Sequence, residues 1–437
     1  MGTTASIARG ATSLYFANIV VLVANTVYFL LLTNILRSTL EVGIITALNL
    51  MIILLVTVSL LAQPITIQSP IPAPLAVLKF VPELLAKGAQ RGAAKTFRFS
   101  LGFTGFLSGL IATFLIASPG LVISWIGGKA VRPEYVGFAA VDILMLSVAQ
   151  VCLATVIALG DLRAATWYIV FWSALRYGSA SVILLNYKII GVLLGFIIGD
   201  GALFVVALRS SVLGLRGGSD SLSLTMPEFL SYSLPTLASA LMGFAVNQTD
   251  KIFALAQQGL GELAIYNVAI VASSLVGSAP FALLTVLVPS LSGLWAAKRI
   301  EQLHEMVRAY TRYVSIAVIP LAVGFASLTE VALRIFGPEY VQGFIPSVIV
   351  SVGTGLTAVG VVYASLLFAL GELKWYVAAN LAGLFALFAV SALLTPMLGL
   401  NGPALGRAAL LSVEGILYAL AISRRGFFGF DLKAFLG

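Results

Sequence analysis

The sequence predicts an all-α polytopic membrane protein: twelve transmembrane helices in two pseudo-symmetric six-helix bundles, with both termini cytoplasmic. Three observations predict it. Hydrophobic residues make up 60% of the 437 and charged residues 10%, against about 45–50% and about 25% in soluble proteins. A water-soluble fold built this way could not cover its surface with polar groups. The chain also holds twelve mostly apolar stretches, most near or above the roughly 20 residues that a membrane-crossing helix needs, and its two halves repeat the same short strings in the same order. The composition excludes a disordered chain, a nucleic-acid binder and a disulfide scaffold. With one cysteine (Cys152) and one histidine (His304), neither a zinc cluster nor a disulfide framework can be built. No catalytic constellation, metal-ligand set or ATP-binding motif stands out, so the chain is not read as an enzyme.

In the first half the spans fall near 10–35, 43–63, 99–118, 134–160, 167–187 and 189–208. In the second they fall near 229–256, 264–294, 313–332, 343–370, 375–395 and 402–423. The first stretch is too long for a signal-peptide core and is kept as a helix. Basic residues set the orientation. With the N-terminus inside, 17 of the 25 Lys and Arg fall on cytoplasmic segments, from Arg9 to Lys433. Five fall on external ones: Arg37, Lys129, Arg132, Lys188 and Arg334. Arg176, Lys251 and Arg407 lie within spans. The reading is a multi-pass protein of the cell (cytoplasmic) membrane, with an N-terminal lobe at 1–208, a Gly/Ser-rich cytoplasmic linker at 209–228, a C-terminal lobe at 229–423 and a cytoplasmic tail at 424–437.

Between spans, LAVLKFVPELLAK followed by AQRGAAKTFR suits a helix lying on an anionic leaflet, with an ordinary basic loop as the plainer reading. Ile300, Leu303, Val307 and Tyr310 recur at 3,4,3 spacing, an amphipathic surface helix over 295–312 in which His304 is solvated.

The repeat has three matches. Glu41-Val-Gly-Ile falls on Glu262-Leu-Ala-Ile at an offset of 221. PEYVGF at 133–138 falls on PEYVQGF at 338–344, offset 205, and Gly191/Gly195 fall on Gly402/Gly406, offset 211. All sit at predicted external positions, so the halves have the same orientation, related by a pseudo-two-fold axis along the membrane normal with a cavity between them. Small-residue frames at 105–109, 191–195 and 402–406 are read as helix-packing devices.

The second half then reads SYSLPTLASALMGFAVNQTDKIFALAQQGLGELAIYNVA (231–269), VLVPSLSGL (286–294) and RIFGPEYVQGFIPSV (334–348). This resembles the polysaccharide-exporter and oligosaccharide-flippase branch of the MATE-like (MOP) superfamily. Pro235, Asp250, Tyr266, Ala269, Pro289, Gly337 and Tyr340 fit its pattern, and Ala264 departs from it where glycine is usual. The resemblance implies a MATE-like fold and a secondary transporter that flips lipid-linked (polyprenyl or dolichyl pyrophosphate) oligosaccharide or polysaccharide repeat units by alternating access. The alternatives are a MATE-like multidrug or organic-cation exporter and, less favoured, a membrane glycan-processing enzyme. The expected partners are the lipid-linked glycan, membrane lipids and glycan-assembly enzymes, with no nucleic acid. The chain is read as a monomer with no cofactor, its coupling ion open between H+ and Na+.

Charges inside spans are costly and mark the candidate site. Arg176 lies mid-span, too deep to snorkel. It is expected to face the cavity and bind pyrophosphate or an acidic sugar through its planar fork; pairing with an Asp on a neighbouring helix is the alternative, and Asp200 is the natural partner. Arg407 and Glu414 share a face of the twelfth span about 10.5 Å apart along the axis, lining the cavity or tying helices together. Asn247, Asp250 and Lys251 belong to NQTDK, the most hydrophilic string inside any span, read as part of an external gate; the plainer reading has Lys251 snorkelling and Asp250 pairing locally. Asp142, in the outer half of the fourth span, stands similarly. The first span offers only Asn18, Asn25 and Asn34, and the tenth has no charge. The superfamily's drug exporters usually carry acids in those two helices, which weighs against that alternative.

Overall fold

Backbone polar groups without water can be satisfied only within a helix or a closed barrel, and every regular element described in this chain is helical. The computed structural model describes residues 2–62, 76–216 and 225–424; the middle of the predicted linker (217–224) and the tail from 425 lie outside them. The elements are α1 (Gly2–Leu36), α2 (Thr39–Leu60), α3 (Ala76–Ala86), α4 (Gln90–Ala117), α5 (Pro119–Ile126), α6 (Pro133–Ala158), α7 (Leu162–Gly214), α8 (Met226–Gln258), α9 (Leu260–Ala296), α10 (Ile300–Phe336), α11 (Phe344–Ala369), α12 (Leu373–Leu398) and α13 (Asn401–Ser423). Among the described residues nine helices are long and apolar enough to cross a membrane, or ten if the bent pair Pro338–Gly355 and Thr357–Ala369 is one span. The predicted count of twelve needs α7 read as two spans and α9 as one.

There is a physical reason to divide α7. At about 1.5 Å per residue, a straight helix of its 53 residues would far exceed a hydrocarbon core of about 30 Å. It breaks at Lys188, whose φ of 49° is left-handed, and its arms, 162–187 and 189–214, fold back on each other. Gly191 approaches the backbone of Ile183, Gly195 that of Ala180, and Gly199 that of Arg176. The partner numbers fall as the glycine numbers rise, which is the signature of an antiparallel hairpin. The second half repeats the device. Gly402, which opens α13, meets Thr395 of α12, and Gly406 meets Ser391. Ala180 and Ser391 stand at the same offset of 211 as the glycines, so this repeat extends from the sequence into the packing. The frame at 105–109 differs: a Cβ at Gly105 would make only an ordinary contact with Val148, and one at Gly109 would meet open space.

The PEYV strings also open corresponding helices. Pro133 starts α6 directly, whereas Pro338 first enters a 3-10 turn, Pro338–Gly343, before α11. Gln342 is the inserted residue, and the turn buries Tyr340 and brings Gly343 against Ile265 and Ala269 of α9.

Two sequence expectations change. The surface helix at 295–312 and the span at 313–332 are one helix from Ile300, because buried Leu303, Val307, Val314, Val318 and Ala322 form an unbroken stripe; His304 is half-buried. The amphipathic α3 turns Val77 and Val81 inward, and its first residue, Ala76, clusters with Leu61 of α2 and Phe229 of α8. Its apolar face thus packs on protein, and Lys79 lies 4.5 Å from the Tyr232 ring centroid. The exposed Glu83–Lys87 pair on α3 (2.7 Å) is of the kind that contributes little; Lys87→Ala is expected to leave the melting temperature unchanged.

By packing, the chain forms two compact units, 1–247 and 248–437. In the first, Ser38 caps α2 and Asp161 caps α7. Glu41 pairs with Lys188 at 3.2 Å, which puts two turns predicted to be external at one end of that unit. Ser59 of α2 bonds Ser147 of α6 at 2.7 Å.

Candidate functional site

Two clusters of charge lie within the apolar helices, one in each unit. In the first unit, Arg176 sits on the first arm of α7, Asp200 on the second and Asp142 on α6. Gly199 explains the close fit: with no Cβ there, the second arm reaches the Arg176 backbone and sets the neighbouring Asp200 within range. Arg176 donates through Nη1 to Asp200 Oδ2 and through Nη2 to Asp142 Oδ2, the latter at 3.2 Å. Trp172, one turn before Arg176, donates its Nε1–H to Asp200 Oδ1 at 2.6 Å. The guanidinium also lies 4.0 Å from the Phe196 ring centroid, a favourable cation–π distance. Arg176 is 4% exposed and both carboxylates 0%. Tyr28 of α1 packs beside this group, its ring 5.3 Å from Tyr177 and 5.8 Å from Phe196. Two polar atoms here have no hydrogen-bond partner: Asp142 Oδ1 and the Tyr28 hydroxyl. Two carboxylates against one guanidinium leave the cluster a formal charge of −1.

In the second unit, Asp250 on α8 is the hub. Its Oδ2 accepts from Arg407 Nη1 of α13 at 2.7 Å and from the Tyr266 hydroxyl of α9 at 2.9 Å. Its Oδ1 accepts from the Lys251 backbone N–H at 3.0 Å. The Lys251 side chain takes a different direction around α8 and is buried. Glu414 lies farther along α13 against Gly383 of α12, where a Cβ would come 3.0 Å from its Cγ, and its Oε1 has no hydrogen-bond partner. One turn on, the Tyr418 hydroxyl accepts from Asn380 Nδ2 at 2.9 Å.

The structure therefore brings Arg176, Asp200 and Asp142 together, and separately Asp250 and Arg407. Arg176, expected to face a cavity and bind an anionic group, is instead held by Asp200, the pairing given as the alternative, with Asp142 as a second acid. Arg407 ties α13 to α8 through Asp250. Asn247 donates to the Gly243 carbonyl of its own helix at 2.8 Å. Two participants escaped the sequence reading of the site. Trp172 is four residues from Arg176, a spacing that shares a helix face, so the signal was present. Tyr266 enters the sequence pattern as a motif residue, with nothing local to mark it as a donor to Asp250.

No protein-family model matches the sequence, and no curated protein matches it either. Solved structures do. The chain aligns with the lipid II flippase MurJ in an inward closed conformation at a TM-score of 0.74 and 14% identity, covering 98% of this chain and 89% of that one. A mutant of the Vibrio cholerae MATE transporter VcmN aligns at 0.69 and 15% identity, over 98% and 99%. A MOP-superfamily transporter from Pyrococcus furiosus, described as having a binding pocket of reversed polarity, aligns at 0.62 and 13%, over 95% of each chain. At these identities the likeness is one of fold: a multi-pass helical membrane fold shared with MATE transporters and a lipid flippase.

Proposed function

We propose that the chain is a secondary transporter that flips lipid-linked oligosaccharide or polysaccharide repeat units, carried on polyprenyl or dolichyl pyrophosphate, across the cytoplasmic membrane by alternating access. The observation that carries this reading is the set of cations held at span depth, Arg176, Lys251 and Arg407, in a fold also used by a lipid II flippase. Ionisable groups are rarely kept within spans without a pathway or a partner to serve, and a pyrophosphate head is the anionic part of such a substrate. In this reading the two six-helix lobes, 1–208 and 229–423, move as a monomer, and both termini are cytoplasmic.

A second reading, export of organic cations, is favoured by one specific feature. The Asp142–Arg176–Asp200 cluster carries an excess carboxylate with an unpartnered oxygen, which suits a cation or a proton. Translocation of a fluorescent polyprenyl-diphospho-oligosaccharide in proteoliposomes separates the two. Purified protein is expected to move the lipid and to leave organic cations in place; efflux of organic cations with no lipid movement would establish the second reading instead.

A further inference from the structure

We propose that the first turns of α4 form a binding site for an anionic phospholipid of the cytoplasmic leaflet, its head group held by Arg91, Lys95 and Arg98. The inference goes beyond the transport reading and does not depend on which substrate moves. α4 has 28 residues. At 1.5 Å each they span about 42 Å, against a hydrocarbon core of about 30 Å, so roughly eight residues stand outside it. From Phe99 to its end α4 carries no charge, which places the overhang at its start. There Gln90 donates through Nε2 to the Arg216 carbonyl, just past the end of α7, at 2.9 Å. The second arm of α7 runs to that point from Lys188, which pairs with Glu41. The start of α4 therefore lies at the opposite end of the unit from that pair, the cytoplasmic end in the predicted topology.

Arg91, Lys95 and Arg98 recur at 4,3 spacing, which puts them on one helix face, and all three are exposed. The same face continues into the core as Phe99, Gly102 and Phe106, exposed as well. The buried face carries Thr96, Ser100, Thr104 and Ser108. Small polar residues inward and large apolar ones outward are the pattern of a helix whose outer face meets lipid. A Cβ at Gly102 would meet nothing within 4 Å, which leaves an acyl chain open space between the two aromatic side chains. Among the described residues nothing answers the charge. The three cations make no ion pair and no side-chain hydrogen bond with any of them, and α4 contains no carboxylate. Glu83, the nearest acid before it in the chain, is taken by Lys87. Arg91 also stands in the first turn, where the helix macrodipole opposes a cation. An external anion removes both disadvantages, and guanidinium and ammonium groups are the side chains that donate best to phosphate. The cations of α10 differ, because Arg299, Arg308 and Arg312 lie among Glu301 and Glu305. α3 spends its apolar face on protein, so the task falls to α4.

The test uses the purified full-length protein in detergent, titrated with phosphatidylglycerol or phosphatidylcholine, with retained lipid counted by native mass spectrometry. Wild type is expected to hold phosphatidylglycerol more tightly. Lys95→Gln should weaken that binding by about 5-fold and the triple variant Arg91→Gln/Lys95→Gln/Arg98→Gln by about 100-fold, following the usual worth of each cation near an anionic leaflet. Phosphatidylcholine binding should not change. The variant Arg299→Gln/Arg308→Gln/Arg312→Gln removes the same charge from α10 and should keep wild-type affinity. Every substituted side chain is exposed, so each variant should melt with wild type in phosphatidylcholine, which separates lost binding from lost folding. Equal affinity of wild type for the two lipids overturns the site, as does wild-type affinity in the α4 triple variant. Equal losses in the α4 and α10 variants would reduce the effect to net charge and overturn it too. If sodium phosphate displaces phosphatidylglycerol at equal concentration, the acyl face contributes nothing and the assignment to a lipid fails.

Discussion

Arg176→Met is expected to destabilise the protein by about 3–5 kcal/mol, the usual cost of removing one member of a buried ion pair, and to lower its melting temperature in detergent accordingly. The substitution leaves the Asp142 and Asp200 carboxylates, both 0% exposed, with no cation between them. Trp172 would still donate to Asp200, but a neutral N–H cannot offset two negative charges. The second half indicates how the loss can be repaired. At the hairpin offset of 211, Arg176 corresponds to Leu387 and Asp200 to Leu411, and Leu387 is fully buried in a hairpin that brings its arms together through equivalent glycines. The charges are therefore not what this packing requires. Replacing Arg176 and Asp200 together by leucine, with Asp142→Asn to remove the remaining charge, is expected to recover most of the lost stability, since apolar replacement of a whole buried network is often neutral or better. Transport should not recover with it if the charges serve the transport cycle. An Arg176→Met protein that melts with wild type would show that the cluster is more hydrated than its burial implies.

The sequence went furthest where one residue in an apolar run breaks the pattern. Every predicted span falls on a helix, because about 20 apolar residues leave the backbone little choice. Arg176 stood out as a mid-span charge for the same reason. What the residues could not declare was pairing across helices. Asp142 and Asp250 looked alike on paper, an acid in the outer part of a span; one meets Arg176, whereas the other meets Arg407, 157 residues away. That choice depends on the rotational phase of each helix and the register of each hairpin, which no local string records. Lys251 shows the limit most clearly. Snorkelling was a sound expectation for a lysine in the outer third of a span, and only the burial of the whole side chain by neighbouring helices removes it. The continuity of α10 is hidden for a different reason: a change from amphipathic to apolar composition near residue 313 marks a change of surroundings without a break in the backbone.

Gly195→Leu is expected to prevent folding of the first-unit hairpin, with loss of monodisperse protein on size-exclusion chromatography as the measurement. A Cβ at Gly195 runs into the backbone nitrogen and Cα of Ala180, atoms that cannot turn aside as a side chain can. The arms must separate, and because Gly199 sits one turn farther along the same contact, the separation also pulls Asp200 from Arg176. Overpacking a tight interior typically costs about 1–3 kcal/mol, and more when the backbone has to move; here that cost adds to the loss of a buried ion pair. Alanine substitutions grade the effect. Gly195→Ala should be the most damaging. Gly406→Ala should be milder, because its Cβ first meets the Ser391 hydroxyl, which can rotate, although the Leu387 carbonyl stands 2.9 Å away. Gly201→Ala, with nothing within 4 Å of the new Cβ, should be neutral or stabilising by about 0.5–1 kcal/mol through helix propensity. The order of the three melting temperatures carries the argument: a Gly195→Ala protein as stable as Gly201→Ala would mean that the arms do not meet at this register, and the placement of Asp200 beside Arg176 would fall with it.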